Sequence, residues 1–223
     1  MDFVRIERGW GRYLVLLPGW GFLGGIFSRL FLPYDYILPA RHLSCDISDD
    51  LAAFFDEEGL GRTAVLGWSL GASLAVDFAE RYPEKISSLI LISLRSSFPA
   101  IELERKRVLI EADPKGALHS FYRGCFAGQK EDYKWFVECH EKRFIETITK
   151  EELLGGLAYL SSRTVSLDRI PCTDILIVYG MRDLIAPARL APRRAHARYL
   201  VMPGTGHLPF LSPGFSKAMT QGP

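Results

Sequence analysis

Long hydrophobic runs are absent from this sequence, and their absence excludes a whole class of proteins. No apolar stretch reaches the ~18 residues that a membrane-spanning helix requires. The first residues, MDFVRIERGWGRY, do not show the pattern of a signal peptide, in which a basic segment precedes an apolar one. We therefore expect no association with a membrane.

An excess of charge of one sign is also missing, and cysteine is scarce. The 27 basic and 26 acidic residues leave a net charge of +1, so no overall field favours nucleic acid as a partner. No CxxC pair occurs, and no histidines stand at metal-ligand spacing. The four cysteines are Cys45, Cys125, Cys139 and Cys172. We expect reduced thiols in a cytoplasmic monomer that needs no metal and no cofactor.

What the sequence does contain is a succession of short apolar strands that alternate with helical patterns. Most of these strands are apolar throughout, as expected of strands buried on both faces of a parallel sheet. The predicted strands cover 12–19, 34–40, 63–67, 87–93, 173–180 and 197–204, and the predicted helices include 48–59 and 71–83. This alternation indicates an α/β fold with a mostly parallel central sheet flanked by helices.

One segment interrupts the alternation. Between residues 95 and 168 no buried strand is evident, and the stretches KEDYKWFVECHEKRFIETI and KEELLGGLAYLSSR have the spacing of amphipathic helices. We therefore divide the chain into a core of residues 1–94 and 169–223 and a helical cap, or lid, of residues 95–168. A cap inserted here would lie over the carboxyl ends of the strands, where open α/β sheets bind ligands.

A serine stands between two glycines where a strand gives way to a helix. In the stretch AVLGWSLGASLAVDFA, Ser69 lies two residues from both Gly67 and Gly71. A strand, a strained turn and a helix in this order are typical of a nucleophile elbow. The glycines suit such an elbow because a Cβ would collide where the strand and the helix approach. The alternative is a glycine-rich β-turn with an incidental serine.

A serine hydroxyl needs a base to become a good nucleophile, and the sequence offers five histidines. His119 and His140 fall in the predicted cap, and His196 lies in an arginine-rich stretch that has a helical pattern. His42 could reach the cleft, although nothing nearby marks it as a base. His207 follows the last predicted strand in VMPGTGHLPF, at the sheet end expected for the serine, and it is the predicted base.

The third member of a catalytic triad orients the histidine and stabilises its charged form. Asp183 follows the buried strand in ILIVYGMRD by three residues. Asp168 and Asp174 precede that strand and should point to the opposite end of the sheet. The order serine, aspartate, histidine along the chain is the order found in α/β-hydrolases.

Acyl transfer also needs hydrogen-bond donors for the negative charge that develops on the carbonyl oxygen. The backbone N–H of Leu70, directly after Ser69, is one predicted donor. The second is the N–H of Trp20 in LLPGWGF, the loop after the first central strand. The alternative for Trp20 is simple packing of an aromatic ring in a glycine loop.

Together these motifs resemble the α/β-hydrolase superfamily over nearly the whole chain. Within it the sequence is most similar to the pimeloyl-[acyl-carrier protein] methyl ester esterases of biotin synthesis, because LVLLPGWG, LGWSLGASLA, YGMRDLIAP and GHLPF occur in that family's order and approximate spacing. The resemblance implies that Trp20 and Leu70 supply the oxyanion donors. It also implies an acyl pocket in the cap segment SFYRGCF, where the matching residues are Phe121, Tyr122, Arg123, Gly124 and Cys125.

The sequence therefore predicts a serine carboxylesterase that hydrolyses an acyl ester through Ser69, Asp183 and His207. If the resemblance extends to the substrate, this is the methyl ester of a pimeloyl group on acyl-carrier protein. The same triad also serves thioesterases, general short-chain esterases, C–C hydrolases and haloperoxidases. A non-catalytic ligand-binding protein of the same fold is a further alternative.

An acidic carrier would bind a basic face of the protein. The basic candidates in the cap are Arg105, Lys106, Arg107, Arg123, Lys142 and Arg143. A second cluster, Arg189, Arg193, Arg194 and Arg198, is expected on a helix beside the sheet, away from the cleft.

Overall fold

The computed structural model describes residues 1–172 and 174–220, and seven strands in this part of the chain form one sheet. The strands are β1 (Phe3–Ile6), β2 (Tyr13–Leu17), β3 (Asp35–Pro39), β4 (Thr63–Trp68), β5 (Ile86–Ile92), β6 (Ile175–Gly180) and β7 (Arg198–Met202). Their order in space is β1-β3-β2-β4-β5-β6-β7, with β1 antiparallel to β3 and every other pair parallel. The predicted α/β fold with a mostly parallel sheet is confirmed.

The central strands are rich in apolar residues because both of their faces are buried. Every residue of β4 and of β6 is buried, because helices cover the sheet on both faces. The helices α1 (Ile47–Glu57) and α2 (Leu70–Arg81) pack against each other, and α2 also packs against β4 and β5. The six predicted strands agree with β2 to β7 within one or two residues at each end. Thr173, in the fifth predicted strand, lies outside the described residues.

The edge strand β1 is not among the strands predicted from the sequence. Three of its four residues are exposed, and its short sequence FVRI carries no clear apolar pattern. It is held by antiparallel pairing with β3, in which Phe3 lies opposite Pro39 and Ile6 opposite Tyr36. Such pairing depends on a partner 30 to 36 residues away in sequence, which local periodicity does not reveal.

The prediction of a helix for the second arginine cluster, Arg189 to Arg198, is wrong. Ala188–Leu190 forms a single 3-10 turn, and the chain then runs irregularly to β7. Pro187 and Pro192 flank this turn, and proline cannot donate the N–H that a continuing helix needs. His196 has a φ of 65°, which is also outside the right-handed helical region.

Five α-helices lie between β5 and β6, where the cap was predicted. They are α3 (Ala100–Ala112), α4 (Pro114–Cys125), α5 (Lys130–Phe136), α6 (Lys142–Thr147) and α7 (Lys150–Ser162). A π-helical segment, Val137–Glu141, joins α5 to α6, so the first amphipathic stretch is interrupted rather than one regular helix. A short helix, α8 (Pro213–Thr220), ends the described chain. Across the described residues, no helix is long and apolar enough to cross a bilayer.

Aromatic packing joins the cap to the core. The ring of Phe22, in the loop after β2, lies 4.8 Å from Trp68 of the core and 4.8 Å from Tyr122 of α4. Phe136 and Phe144 of the cap complete this cluster, with ring centroids 5.6 and 6.1 Å from that of Phe22. Three of these four contacts are edge-to-face, an arrangement that adds to the free energy gained by burying the rings. The helices predicted to form the cap are therefore packed against the loop that follows β2.

Candidate active site

Ser69 occupies the sharp turn between β4 and α2. Its φ of 56° and ψ of −115° lie in a region that residues other than glycine rarely adopt. Its backbone N–H donates to the carbonyl of Ile92 at 2.8 Å, which ties the turn to β5. Ser69 is only half-buried, between the fully buried Trp68 and Leu70. The strained turn thus leaves this one side chain partly exposed between two buried neighbours.

The two flanking glycines permit the strand and the helix to touch. A Cβ at Gly67 would overlap the carbonyl oxygen of Gly71, and a Cβ at Gly71 would overlap the carbonyl oxygen of Leu17 in β2. Neither atom belongs to a flexible side chain, so neither overlap can be relieved without moving the backbone. The turn therefore has the construction of a nucleophile elbow rather than that of an ordinary β-turn.

Asp183 and His207 meet in the interior. Asp183 follows β6 and His207 follows β7, and because parallel strands end at the same edge of the sheet, the two loops are neighbours. The Nδ1 atom of His207 lies 2.9 Å from Oδ2 of Asp183, and the side chains are 2% and 0% exposed. The other oxygen, Oδ1, accepts the N–H groups of Ile185 and Ala186 at 2.9 Å each. This network fixes the carboxylate and, through it, the imidazole ring.

The electrostatics of Asp183 favour its ionised form. Burial alone would raise the pKa of this carboxyl, but the His207 imidazole beside it and the donated hydrogen bonds hold the pKa below its usual value. Asp183 is therefore a carboxylate at neutral pH, able to accept the Nδ1–H of His207. That bond leaves Nε2 of His207 as the atom that can take a proton from a nucleophile.

Two core side chains hold the backbone of His207. The indole N–H of Trp68 donates to the His207 carbonyl at 2.8 Å, and the hydroxyl of Ser93 donates to the same oxygen at 3.1 Å. Because Trp68 directly precedes Ser69, the first bond ties the histidine loop to the elbow. Nε2 of His207 is buried and has no hydrogen-bond partner among the described residues, so the structure does not join it to the Ser69 hydroxyl. Catalytic hydrogen bonds are often long without substrate.

The remaining histidines lack this setting. His42 is buried, and neither of its ring nitrogens has a partner in the described part of the chain; burial lowers its pKa despite nearby Glu152. His119 is exposed and contacts Glu141, and His196 is exposed. His140 packs against Trp135 in the cap. Asp183 is thus a partner of His207 alone among the five.

The predicted oxyanion donors, Trp20 and Leu70, lie in a turn and at the start of a helix, and both positions leave the backbone N–H available. A turn closed by the bond from Phe22 N–H to the Gly19 carbonyl, 3.1 Å, contains Trp20 and Gly21, the latter with a φ of 70°. This bond does not use the N–H of Trp20. Leu70 begins α2, and the first N–H groups of a helix have no partner within it. The positive end of the helix dipole also favours an anion there.

Cap residues support the Trp20 turn. The indole N–H of Trp20 donates to the carbonyl of Leu153 in α7 at 2.9 Å, and its ring fills the space left by the missing side chain of Gly156. The hydroxyl of Tyr122 donates to the Gly21 carbonyl at 2.7 Å. Burial raises the pKa of Tyr122, so this hydroxyl keeps the proton that it donates. Trp20 is therefore both packed, as in the alternative reading, and placed to offer its backbone N–H.

The predicted acyl pocket is only partly assembled. A cavity of about 170 Å³ lies between α3, α4 and the loop after β6, and Phe121 and Gly124 line it together with Trp20. Tyr122 and Cys125 are fully buried elsewhere in the cap, and burial raises the pKa of the Cys125 thiol. Arg123 is exposed and does not line the cavity. The matched segment is helical, so only one of its faces points to the cavity.

Two side chains that support or line the site, Ile185 and Gln129, were not predicted from the sequence, and Lys106 was expected only as a basic residue for carrier binding. Lys106 and Ile185 line the cavity, and the Lys106 ammonium lies 4.9 Å from the centre of the Phe121 ring. Gln129 contacts the loop of His207 on both sides. No motif marks these positions, because each reaches the site from a different element. Ile185 had the best available signal, since it lies two residues after Asp183.

The chain belongs to the α/β-hydrolase family, whose model, described as "Alpha/beta hydrolase family", matches residues 3–215. Its relatives include pimeloyl-[acyl-carrier protein] methyl ester esterases. That of Shewanella sp. (strain MR-7) is 37% identical, over 92% of this chain and 87% of its own length. That of Nitrosomonas europaea is 27% identical, over 95% of each chain. The predicted resemblance and the predicted enzyme class, a carboxylic ester hydrolase, are confirmed.

Solved structures agree on the fold. An esterase from Exiguobacterium antarcticum superposes with a TM-score of 0.81 at 18% identity, covering 97% of this chain and 92% of the other. A thermophilic esterase from Thermogutta terrifontis superposes with a TM-score of 0.73 at 19% identity, covering 98% and 90%. At such identities the likeness establishes the fold alone.

Proposed function

We propose that this protein is a serine carboxylesterase whose triad is Ser69, His207 and Asp183. The observation that carries the proposal is the buried 2.9 Å hydrogen bond between Asp183 and His207, on a loop tied through Trp68 to the Ser69 elbow. A structural role alone would not require a buried carboxylate–imidazole pair on a loop that is tied to the turn of a strained, half-buried serine. Clusters of this kind are the usual sign of a catalytic site.

In the proposed reaction, Nε2 of His207 takes the Ser69 proton as Oγ attacks the ester carbonyl. The N–H groups of Trp20 and Leu70 stabilise the resulting oxyanion, and each such donor contributes about 10²–10³ in rate. The C–O bond to the alcohol then breaks, and His207 gives the proton to the departing alcohol. Water, activated by His207, hydrolyses the acyl-enzyme and releases the acid.

The proposed substrate is the methyl ester of a pimeloyl group carried on acyl-carrier protein. Support comes from the relatives of that name and from the cavity lined by Trp20 and Phe121, which offers an apolar surface to an acyl chain.

We also propose a cytoplasmic location for the protein. The four cysteines, all within the described residues, are free thiols, as that compartment favours.

The proposed carrier would bind the exposed basic residues Arg123, Lys142 and Arg143, which lie on α4 and α6, two helices in contact. Arg107 is a weaker candidate because Glu104 and Glu111 already pair with it. Reversing the charge of Arg123, Lys142 and Arg143 together should weaken turnover of the carrier-bound ester far more than that of a small methyl ester. Equal losses on both substrates would contradict carrier docking but not the esterase activity.

The experiment that tests the substrate is direct hydrolysis of pimeloyl-[acyl-carrier protein] methyl ester by the purified protein. Equal concentrations of an acyl thioester, a short p-nitrophenyl ester and a C–C hydrolase substrate serve as comparisons. We expect the carrier-bound methyl ester to have the highest kcat/KM, and the gene to restore growth without biotin in cells that lack their own esterase. Preference for the thioester or the C–C substrate would assign the protein to that class instead.

A further inference from the structure

Gln129 is a cap residue with a fixed backbone. It lies in the turn between α4 and α5 and is 8% exposed. Its N–H donates to the carbonyl of Phe126 at 2.8 Å, and its own carbonyl accepts the N–H of Tyr133, in the first turn of α5, at 2.9 Å. The side chain therefore starts from a well-defined position in the cap.

The amide of this side chain bridges the two residues that flank His207. Its Oε1 accepts the N–H of Gly206 at 3.0 Å, and its Nε2 donates to the carbonyl of Leu208 at 3.3 Å. A backbone N–H can only donate and a carbonyl can only accept, so the network fixes which end of the amide is oxygen. The second Nε2 hydrogen goes to Asp132 at 3.0 Å, which orients the amide further.

The contacts of Gln129 complement those made by the core. Trp68 and Ser93 hold the carbonyl of His207 itself, and Asp183 holds its ring. None of these three contacts reaches the N–H of Gly206 or the carbonyl of Leu208, and that carbonyl otherwise accepts only the local N–H of Leu211, at 3.2 Å, among the described residues. Gly206 also packs closely on the cap, because a Cβ there would lie 3.0 Å from the carbonyl oxygen of Ala127.

We propose that Gln129 is a positioning residue that fixes the backbone around His207 and so the direction of Nε2 toward Ser69. The proposal rests on the proposed serine esterase function. A consequence is that the cap takes part in catalysis through the histidine loop as well as through the substrate, because displacement of the α4–α5 turn displaces His207. A misplacement of about 1 Å in a reacting group can cost about 10²-fold in rate.

The test compares Gln129→Leu, which has similar bulk and no side-chain hydrogen bonds, with Lys130→Leu, at the exposed neighbouring residue that begins α5. We measure kcat and KM on p-nitrophenyl acetate, the rate constant for labelling of Ser69 by a fluorophosphonate, and the final fraction of labelled protein. We expect Gln129→Leu to lower kcat and the labelling rate by about 10- to 100-fold. KM should change by less than about threefold, and Lys130→Leu should match the wild type.

A second variant, Gln129→Glu, adds a pH dependence that simple loss of packing would not give. Ionised, the new side chain places negative charge beside the Leu208 carbonyl and Asp132; protonated, it can again donate to Leu208. The ratio of its kcat/KM to that of the wild type should therefore rise as the pH falls, whereas the ratio for Gln129→Leu should stay flat.

The proposal is overturned if Gln129→Leu keeps the wild-type kcat per labelled site, or if its entire loss of activity comes from a higher KM or a smaller labelled fraction. It is also overturned if the ratio of the kcat/KM of Gln129→Glu to that of the wild type does not depend on pH. Failure of the proposed function gives a different result. In that case wild-type Ser69 is neither labelled nor needed for hydrolysis.

Discussion

Ser69, the proposed nucleophile, carries backbone strain. A φ of 56° at a residue other than glycine costs about 1–3 kcal/mol, and this cost must be offset by the packing of β4 and α2 around the turn. The hydroxyl contributes little to that packing because Ser69 is only half-buried. Its side chain can therefore be removed with little loss of stability.

Ser69→Ala should abolish hydrolysis of short p-nitrophenyl esters, because no other nucleophile is proposed at the elbow. The melting temperature should stay within a few degrees of the wild type, since alanine meets the same backbone constraint. Ester turnover and thermal unfolding, measured on the same preparation, test the expected loss of activity and the expected retention of stability. Substantial residual hydrolysis would rule out the triad.

Asp183→Asn should lower kcat on the order of 10⁴-fold, because an amide can donate to Nδ1 and so favour the wrong imidazole tautomer. Asp168→Asn and Asp174→Asn are matched controls from the opposite end of β6. Steady-state kinetics on one ester compare all three variants. If Asp183→Asn were nearly silent while a control variant lost activity, the acid would be misassigned.

Among the structural elements, those that depend on a local sequence pattern could be predicted from the sequence. The buried strands, the Ser69 elbow and the loops of Asp183 and His207 follow from apolar runs and from glycines at strand ends. Contacts between distant segments left no such signal, as β1 and the Gln129 amide show. The misplaced helix near Arg193 has a local cause, since the prolines on either side of the turn outweigh the helical preference of alanine and arginine.

Phe121 is the cap residue expected to set acyl-chain preference, because it lines the cavity beside Trp20. Lengthening a test ester from acetyl toward hexanoyl should raise kcat/KM, by up to about 0.8 kcal/mol or fourfold per methylene, until the cavity is full. Phe121→Ala should flatten this dependence without removing acetyl ester turnover. Phe31→Ala, an exposed phenylalanine outside the cavity, is the control. An unchanged chain-length profile in Phe121→Ala would place the acyl chain elsewhere.

For the whole molecule, buried carboxylates link stability to pH. Asp35 of β3 accepts the N–H groups of Arg8, Trp10 and Gly11 from the segment between β1 and β2, at 2.5, 3.2 and 2.8 Å. Burial works to raise the pKa of this carboxyl, but the donated backbone hydrogen bonds hold it below the usual value. The pKa of Asp183 is lowered as well. Both carboxylates stabilise the folded state when ionised.

The sign of the pH effect follows from these lowered pKa values. Each carboxylate contributes its full stabilisation above the unfolded pKa of about 3.9 and loses it as the pH falls through the lower folded pKa. The melting temperature should therefore drop on acidification below about pH 4. Asp35→Asn should melt at a lower temperature than the wild type at neutral pH and show a shallower drop in acid, whereas exposed Asp168→Asn should follow the wild type. An acid drop in Asp35→Asn as steep as that of the wild type would contradict this account.

Activation of Ser69 by His207 can be measured as the rate of covalent labelling by a fluorophosphonate, with the labelled residue located by peptide mass spectrometry. We expect one phosphonyl group per chain on Ser69 in the wild type, and labelling slowed by orders of magnitude in His207→Ala. His42→Ala, which removes the other buried histidine, should label at the wild-type rate if it folds. Absence of label on Ser69, or labelling equally fast without His207, would show that His207 does not activate Ser69.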